Sequence, residues 1–306
     1  MTEIVDVADL DCIYLSYDEP QKEEFWAHIQ NMVPWAKRVD GVEGSDAAHK
    51  AAAEASHTDR FVLIDGDNLP YESFFNQQLK LDSVNKECVF RWRAVNEING
   101  LMYGNGGMSC WTKDFVLNMK THEHSEGDDE TNVEFCFDDR YWAMHNVYST
   151  TYPNGTPFQA WRAGFREGVK MCLDRGRKPS VEEFKDSVHK QNLNNLKIWQ
   201  TIGHDVDNGD WAILGARMGT VKTMLEDWDH TQVQWFPSLE KMWNQEVSEL
   251  ECDKVSKEYM GALNKQLDMG ISEYSAQQSK FFKEVFRQTH VQKSVMTTEK
   301  DFITER

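Results

Sequence analysis

Two carboxylates stand one residue apart directly after an apolar segment of the chain. The segment is residues 61–64 (FVLI), and Asp65, Gly66 and Asp67 follow it. A continuous apolar run of this length is typical of a strand buried on both faces, and open α/β sheets bind ligands at the carboxyl ends of such strands. Carboxylates this close repel each other unless a cation bridges them, and oxygen ligands suit Mg²⁺ or Mn²⁺ that also holds a diphosphate. The spacing therefore predicts a divalent metal site at Asp65 and Asp67, with Gly66 leaving room for a phosphate.

The segments around this motif predict alternating strands and helices. A strand candidate at 12–16 is followed by apolar residues at helical spacing over 25–33, an alanine-rich helix ending near residue 55, and the strand at 61–64. Further strands are predicted at 88–92 and 133–137, with a glycine turn at 104–107 and a short helix at 112–119 between them. This alternation predicts an α/β fold with a mostly parallel sheet and flanking helices.

The sequence pattern changes near residue 150. Apolar residues recur at helical spacing over 158–173 and through most of 239–290. We therefore expect an α/β domain over residues 1–150 and a mainly helical region over residues 151–306. Trp161 recurs at helical spacing with Phe158 and Phe165, which favours a place in the core.

Charge and composition exclude several classes of protein. The 306 residues carry 33 Lys and Arg against 51 Asp and Glu, a formal charge of −18, which argues against a non-specific DNA-coating protein. No apolar run approaches the roughly 20 residues of a membrane helix, and the first residues lack the pattern of a signal peptide. The six cysteines form no C-x-x-C pair. These features predict a protein of the reducing cytoplasm that has no membrane partner.

The ordered motifs resemble those of a known enzyme family. The first strand, the glycine- and alanine-rich helix over 44–55, and the strand that ends in Asp65-Gly66-Asp67 look like the N-terminal half of a GT-A fold glycosyltransferase with its D-x-D motif. The resemblance covers about residues 10–150. Three shorter segments are similar to a glycosyltransferase group of tailed bacteriophages, namely 33–39 (VPWAKRV), 46–50 (DAAHK) and 156–162 (TPFQAWR).

The resemblance implies a donor site for a UDP-sugar with Mn²⁺ or Mg²⁺. Asp67 would bind the cation on the diphosphate, and Asp65 would contact the ribose or the cation. The uracil and ribose pocket would consist of Ser16, Tyr17, Asp18, Asp46 and Lys50. Gly106 and Gly107, in the glycine turn, would lie beneath the transferred sugar.

Transfer to an alcohol also requires a base or a group that faces the acceptor. Glu134, Asp138 and Asp139 are the acidic residues at the end of the predicted strand 133–137, where the family usually keeps such a carboxylate. His145 is the preferred third metal ligand. Inversion and retention of the sugar's configuration both stay open.

A basic helix face is the main feature of the second half. Arg162, Arg166 and Lys170 fall at i, i+4 and i+8, so they share one face and suit the phosphates of a diphosphate or a nucleic acid. The phage resemblance suggests a hydroxymethylated pyrimidine, such as hydroxymethylcytosine in double-stranded phage DNA, as the acceptor. If the protein is viral, it would then act in the cytoplasm of its host.

Three alternatives remain at this point. The acceptor could be a glycan, a protein or a small molecule. Hydrophobic-D-x-D strand ends also occur in phosphohydrolases of the haloacid dehalogenase type, in which Asp138 and Asp139 would supply the later acidic pair. The chain could also be a catalytically silent binding protein on a GT-A-like scaffold. The sugar and the oligomeric state are not predicted.

Overall fold

The computed structural model describes residues 2–102, 107–119, 121, 140–294 and 303–305 of the chain. The strands in this part form a seven-stranded sheet and a three-stranded sheet. The strand predicted at 133–137 lies outside the described residues. The strands are β1 (Glu3–Asp6), β2 (Asp11–Ser16), β3 (Lys37–Asp40), β4 (Arg60–Asp65), β5 (Asn68–Pro70), β6 (Gln77–Leu81), β7 (Val89–Asn96), β8 (Met108–Thr112), β9 (Tyr141–Thr151) and β10 (Ile303–Glu305).

The large sheet is mixed, with strand order β3-β2-β4-β8-β7-β9-β5. Strand β2 pairs in parallel with β3 and β4, and β7 pairs in parallel with β9, whereas β4–β8, β7–β8 and β5–β9 are antiparallel. The prediction of a mostly parallel sheet is therefore wrong. On the side of β4 away from β2 its neighbour is β8, and the described residues between these two strands contain further strands and a 3₁₀ turn at Glu72–Asn76 rather than the α-helix that usually makes a parallel crossover. An apolar run in the sequence indicates a strand that is buried on both faces, but it does not indicate whether the neighbouring strands are parallel or antiparallel to it.

The order of the strands makes the sheet curl. Strand β4 is third in the sheet and β5 is the strand at the far edge, yet only Gly66 and Asp67 separate them along the chain. The far edge must therefore return to the carboxyl end of β4. Asp65, Gly66 and Asp67 cross that junction.

Helices α1 (Lys22–Met32) and α2 (Ser45–Ala55) cover opposite faces of the first strands. Side chains alternate across a strand, so neighbours on β2 and β4 enter different cores. The core beside α1 contains Phe25, Ile29, Tyr14, Val62 and Ile64. The core beside α2 contains Ala52, Ala53, Ile13, Phe61 and Leu63.

The C-terminal region is helical, as the sequence predicts, except for β10, which joins β1 and β6 in the small sheet. One further helix, α3 (Lys113–Asn118), follows β8. None of the described helices is both long and apolar enough to cross a membrane. The C-terminal helices are α4 (Pro157–Lys170), α5 (Phe184–Ser187), α6 (Lys190–Trp199), α7 (Gly209–Met224), α8 (Phe236–Met242), α9 (Cys252–Gln266) and α10 (Ala276–Ser294).

Helices α4 and α7 pack with their backbones in close contact. A Cβ atom at Gly164 would lie 2.8 Å from the carbonyl carbon of Ala212, and one at Gly215 would lie 2.8 Å from the backbone nitrogen of Phe165. Trp161 of α4 is completely buried, which confirms its predicted place in the core. This tight pair fixes α4 and its basic face relative to the rest of the helical region.

The helical region contacts the sheet through a buried ion pair. The Nζ of Lys283, on α10, lies 2.7 Å from a carboxylate oxygen of Asp205 and also donates a hydrogen bond of 3.0 Å to the carbonyl of Glu97, just after β7. Lys283 and Asp205 are both largely withdrawn from solvent. The contact joins the last long helix to the end of a central strand.

Candidate functional site

The D-x-D motif lies at the point where the winding of the sheet reverses. The chain passes from β2 through α1 to β3 on one side of β2, then through α2 to β4 on the other side. The carboxyl ends of β2 and β4 therefore flank a topological switch point, which is where open α/β sheets bind ligands. Residues 17–19 follow β2 at this point, and β4 ends at Asp65, after which Gly66 and Asp67 lead to β5.

Backbone contacts fix the turn of the motif. The N–H of Asp65 donates a 2.8 Å hydrogen bond to the carbonyl of Gly107, and the hydroxyl of Tyr14 donates one of 2.7 Å to the carbonyl of Gly66. Tyr14 is buried in the core beneath the sheet edge. The turn is thus held from below by β2 and from the side by the start of β8.

Gly107 is required at its position for two reasons. Its φ of 73° is one that side-chain-bearing residues rarely adopt, and a Cβ there would lie 2.9 Å from Cγ of Asn68 and 3.0 Å from Cβ of Asp65. The structure thus places this predicted sugar-site residue against the first aspartate. Gly106 lies outside the described residues.

The carboxylate of Asp67 is held by side chains from β5 and β9. Its Oδ1 accepts a 2.7 Å hydrogen bond from Nδ2 of Asn68, and its Oδ2 accepts one of 3.1 Å from Oγ1 of Thr151. Asn68 in turn accepts a 3.1 Å hydrogen bond from the hydroxyl of Ser149. These contacts leave further lone pairs on both carboxylate oxygens and fix the direction in which they point.

A third carboxylate, that of Glu19, joins the two aspartates. It lies against Gly66, where a Cβ would be 2.5 Å from its Cδ, and its Oε2 accepts a 2.7 Å hydrogen bond from the N–H of Tyr17. Glu19 was not identified from the sequence, although its position in the turn after the first predicted strand could have indicated that it lies near the motif. It brings the acids of both strand ends together.

Burial raises the pKa values of all three acids, and repulsion by neighbouring carboxylates adds to this at Asp65 and Glu19. Loss of water, with the charges of Asp67 and Glu19, raises the pKa of Asp65 to about 8. Loss of water also raises the pKa of Asp67, against the effect of its hydrogen bonds from Thr151 and Asn68. The pKa of Glu19 is raised by burial and by the charge of Asp67, although its bond from Tyr17 opposes this. Carboxyls in this state gain from a bound cation.

The other predicted contacts at the end of β2 have separate roles. The buried hydroxyl of Ser16 donates to Oδ1 of Asp40 at 2.7 Å and accepts from Nε of Arg38 at 3.0 Å, so it supports the strand end. Tyr17 is exposed over 48% of its surface, and Asp18 is exposed beside it. Only these last two are open to a ligand.

Asp46 and Lys50 form an ion pair on α2. Oδ2 of Asp46 lies 2.7 Å from Nζ of Lys50, one helical turn later. Helix α2 begins at the carboxyl edge of the sheet because it follows β3. The pair therefore lies at the same edge of the sheet as the predicted donor pocket.

The predicted third metal ligand, His145, lies on strand β9. His145 lies in the irregular part of β9, between Ala143 and Val147, six residues before Thr151. Within the described ranges no three His, Cys, Asp or Glu side chains are arranged to hold a metal ion. The role of His145 as a third ligand stays a prediction, and Glu134, Asp138 and Asp139 lie outside the described residues.

The basic face of α4 is directed in part toward this acidic site. Burial lowers the pKa of Arg162, while the charges of Asp18, Asp67, Glu19 and Glu240 act in the opposite direction. Its Cζ lies 5.2 Å from the ring centroid of Phe158. Arg162 thus brings a positive charge from the helical region to the D-x-D motif.

The other two residues of this face have different surroundings. Burial lowers the pKa of Arg166, and its Nε is buried without a hydrogen-bond partner in the part of the chain that the structure describes. Lys170 is half-buried at the end of α4. Of the two arginines, Arg162 is the one on which the charges of the motif's acids act, whereas the charges that act on Arg166 are those of Glu167 and Arg162.

No protein-family model matches this sequence, and no curated protein is detectably similar to it.

Proposed function

We propose that the protein is a metal-dependent glycosyltransferase that moves a sugar from a UDP-sugar to an acceptor hydroxyl. The observation that carries the proposal is the set of acids at the switch point of the sheet, Asp65, Asp67 and Glu19, with Arg162 facing them. A nucleoside diphosphate bound with a divalent cation has the complementary charges. The resemblance of the first 150 residues to GT-A fold enzymes supports the same function.

The donor set fits Mn²⁺ or Mg²⁺ if the diphosphate shares the coordination. Asp67 and Asp65 supply hard oxygen ligands, and such ions commonly keep water and phosphate oxygens as their other ligands. When bound, the cation would neutralise the carboxylates and stabilise the leaving diphosphate.

The remaining residues of the pocket have roles that follow from their positions. Tyr17 and Asp18, exposed at the end of β2, would contact the uracil and the ribose. Gly107, by having no Cβ, lets Asn68 and Asp65 lie directly against the glycine turn beside the proposed sugar site. Thr151 and Asn68 orient Asp67 by hydrogen bonds to its carboxylate.

Arg162 would act on the phosphates of the donor. Its guanidinium has no hydrogen bond or ion pair with any residue in the described ranges, so its donors are available. Arginine pairs phosphate oxygens in a bidentate manner and stays charged at neutral pH. It would therefore stabilise negative charge that develops on the diphosphate as the sugar leaves.

The acceptor that we propose is a hydroxymethylated pyrimidine of DNA. The formal charge of −18 opposes general binding to DNA, so contact would be confined to a local basic surface. The face of α4 with Arg162 and Arg166 provides such a surface next to the acids. A glycan, protein or small-molecule acceptor is the alternative that the experiment must separate.

The decisive measurement is UDP release from a panel of UDP-hexoses and UDP-pentoses with Mn²⁺. It is run without acceptor, with unmodified DNA and with hydroxymethylcytosine DNA. Release stimulated only by the modified DNA would support both donor and acceptor. Slow UDP release that neither DNA changes would support the glycosyltransferase activity but contradict DNA as the acceptor.

The control for this assay is Asp67→Asn. We expect it to lower metal-dependent release by roughly a hundredfold or more, with an unchanged circular dichroism spectrum, because a ligand of the cation is lost. Full activity of this variant would contradict the role of the motif. If no donor releases UDP, hydrolysis of a generic phosphate ester with Mg²⁺ tests the phosphohydrolase alternative.

A further inference from the structure

An exposed tryptophan, Trp235, precedes α8, and its ring packs against no other ring in the part of the chain that the structure describes. Trp235 is exposed over 67% of its surface, and its indole makes no ring contact or hydrogen bond with any residue in the described ranges. Its backbone carbonyl accepts a 2.9 Å hydrogen bond from the N–H of Ser238, which the side chain does not influence. A tryptophan so exposed loses the hydrophobic stabilisation that usually keeps this residue inside.

The next residue, Phe236, is stacked with both arginines of the α4 face. The Cζ of Arg162 lies 4.9 Å from the Phe236 ring centroid, and the Cζ of Arg166 lies 4.8 Å from it. Phe236 itself is exposed over 46% of its surface. Trp235, Phe236, Arg162 and Arg166 therefore form one aromatic and cationic surface, here called the Trp235 surface.

The charges of this surface favour a polyanionic ligand. Neither guanidinium forms an ion pair or a hydrogen bond within the described ranges, and the charges that act on Arg166 come from Glu167 and Arg162. Stacking on an aromatic ring orients a guanidinium while leaving its in-plane N–H groups able to bind phosphate oxygens. Aromatic rings also stack on sugars, but a neutral glycan offers nothing to the two unpaired cations.

The surface adjoins the acids of the D-x-D motif through Arg162. The same guanidinium that stacks on Phe236 interacts electrostatically with Asp67, Glu19 and Asp18. A ligand on the Trp235 surface would thus lie beside the proposed donor site.

We propose that the Trp235 surface holds the DNA acceptor, with a nucleobase stacked on Trp235 and the neighbouring phosphates on Arg162 and Arg166. This inference rests on the proposed function, because it identifies the ligand of the surface as the acceptor of a glycosyltransferase. A base can stack in this way only when it is unpaired or turned out of the duplex. Aromatic rings combined with cations are the usual means of holding single-stranded nucleic acid.

The test is the binding of fluorescein-labelled oligonucleotides, followed by anisotropy. Single-stranded and duplex forms each carry one hydroxymethylcytosine or a cytosine in its place. The variants are Trp235→Ala, the conservative Trp235→Phe, and Phe281→Ala as a matched control, because Phe281 on α10 is also exposed over 67% of its surface. Binding of UDP with Mn²⁺ is measured on every variant by calorimetry.

We expect Trp235→Ala to weaken single-strand binding about tenfold, as the loss of one stacked base would. Trp235→Phe should retain most of the affinity, and Phe281→Ala should bind as the wild type does. UDP binding should be the same in all of them.

Two results would overturn the inference: equal DNA affinity in Trp235→Ala and Phe281→Ala, or no DNA binding by the wild-type protein. If UDP binds normally in either case, the proposed donor site stands while the Trp235 surface loses its role. If Trp235→Ala loses DNA binding but UDP does not bind the wild type, the surface stands and the proposed enzyme function fails.

Discussion

The carboxylate of Glu19 lies over the Cα of Gly66, so that a Cβ at position 66 would be 2.5 Å from its Cδ. A residue from the turn after β2 thus fills the space that the glycine between the two aspartates leaves. The contact links the two strand ends at the switch point. It also explains why the middle position of the motif must be small.

The variant Gly66→Ala tests this contact. The methyl group meets only the far end of a flexible side chain, so Glu19 can swing away and we expect the melting temperature to change little. UDP release should fall to the level of Glu19→Ala, because the third carboxylate leaves the site in both variants.

The double variant Gly66→Ala/Glu19→Ala provides the control. If the glycine acts through Glu19, the double variant should be no less active than Glu19→Ala, as expected for residues that share one interaction. If the losses of UDP release in the two single variants add up in the double variant, the methyl group at position 66 acts on the site independently of Glu19.

Proton release on metal binding follows from the raised pKa of Asp65, which is about 8 against 3.8 for an ordinary aspartate. The folded protein without metal holds this proton at neutral pH. The stability contributed by the group is therefore full below about pH 4 and is lost as the pH rises through about 8. A cation must displace the proton, so Mn²⁺ affinity should rise with pH up to about 8 and then level off.

Calorimetry of Mn²⁺ binding in two buffers with different ionisation enthalpies measures this proton directly. Asp65→Asn should remove the dependence of the heat on the buffer and flatten the pH profile. An identical heat in both buffers for the wild type would show that Asp65 is already ionised before the metal binds.

The two arginines of α4 should have separable effects. Arg162 faces Asp67, Glu19 and Asp18, whereas the charged neighbours of Arg166 are Glu167 and Arg162. We therefore expect Arg162→Ala to weaken binding of UDP with Mn²⁺ and of DNA, and Arg166→Ala to weaken DNA binding alone. Each substitution should reduce the slope of log affinity against log salt by about one if the residue contacts a DNA phosphate.

Calorimetry with UDP and anisotropy at several salt concentrations give both quantities. Lys178→Ala provides a comparison, because Lys178 is exposed and its side chain donates a 3.1 Å hydrogen bond to the carbonyl of Glu226, away from the acids of the motif in sequence. If the α4 substitutions leave the slope of log DNA affinity against log salt unchanged, these arginines do not contact DNA phosphates and have a structural role instead.

The motif at the end of β4 could be predicted from the sequence, whereas the residues that approach it from elsewhere in the chain could not. An apolar run followed by Asp65 and Asp67 is a pattern within a few residues, and the structure has strand β4 ending there. Glu19 and Arg162 reach the motif from distant parts of the chain, through the curl of the sheet and the packing of α4. Periodicity carries no information about either contact, and for the same reason it did not predict that β8 pairs with β4 in the antiparallel direction.

The position of α4, and so of Arg162, depends on glycines at the contact with α7. A Cβ at Gly164 would lie 2.8 Å from the carbonyl carbon of Ala212, and one at Gly168 would lie 2.9 Å from Cα of Ala216. Both obstacles are backbone atoms, which cannot rotate away as a side chain can. We expect Gly164→Ala to lower the free energy of unfolding by about 1–3 kcal/mol or more, despite the better helix propensity of alanine.

Denaturant unfolding measures this loss, and Gly261→Ala is the matched control. Gly261 lies within α9, where a Cβ would meet nothing within 4 Å, so this substitution should raise the free energy of unfolding by up to about 1 kcal/mol. Equal effects of the two substitutions would mean that α4 and α7 adjust freely. In that case the helix could not hold Arg162 at a fixed distance from the acids, and the role of Arg162 in donor binding would lose its structural basis.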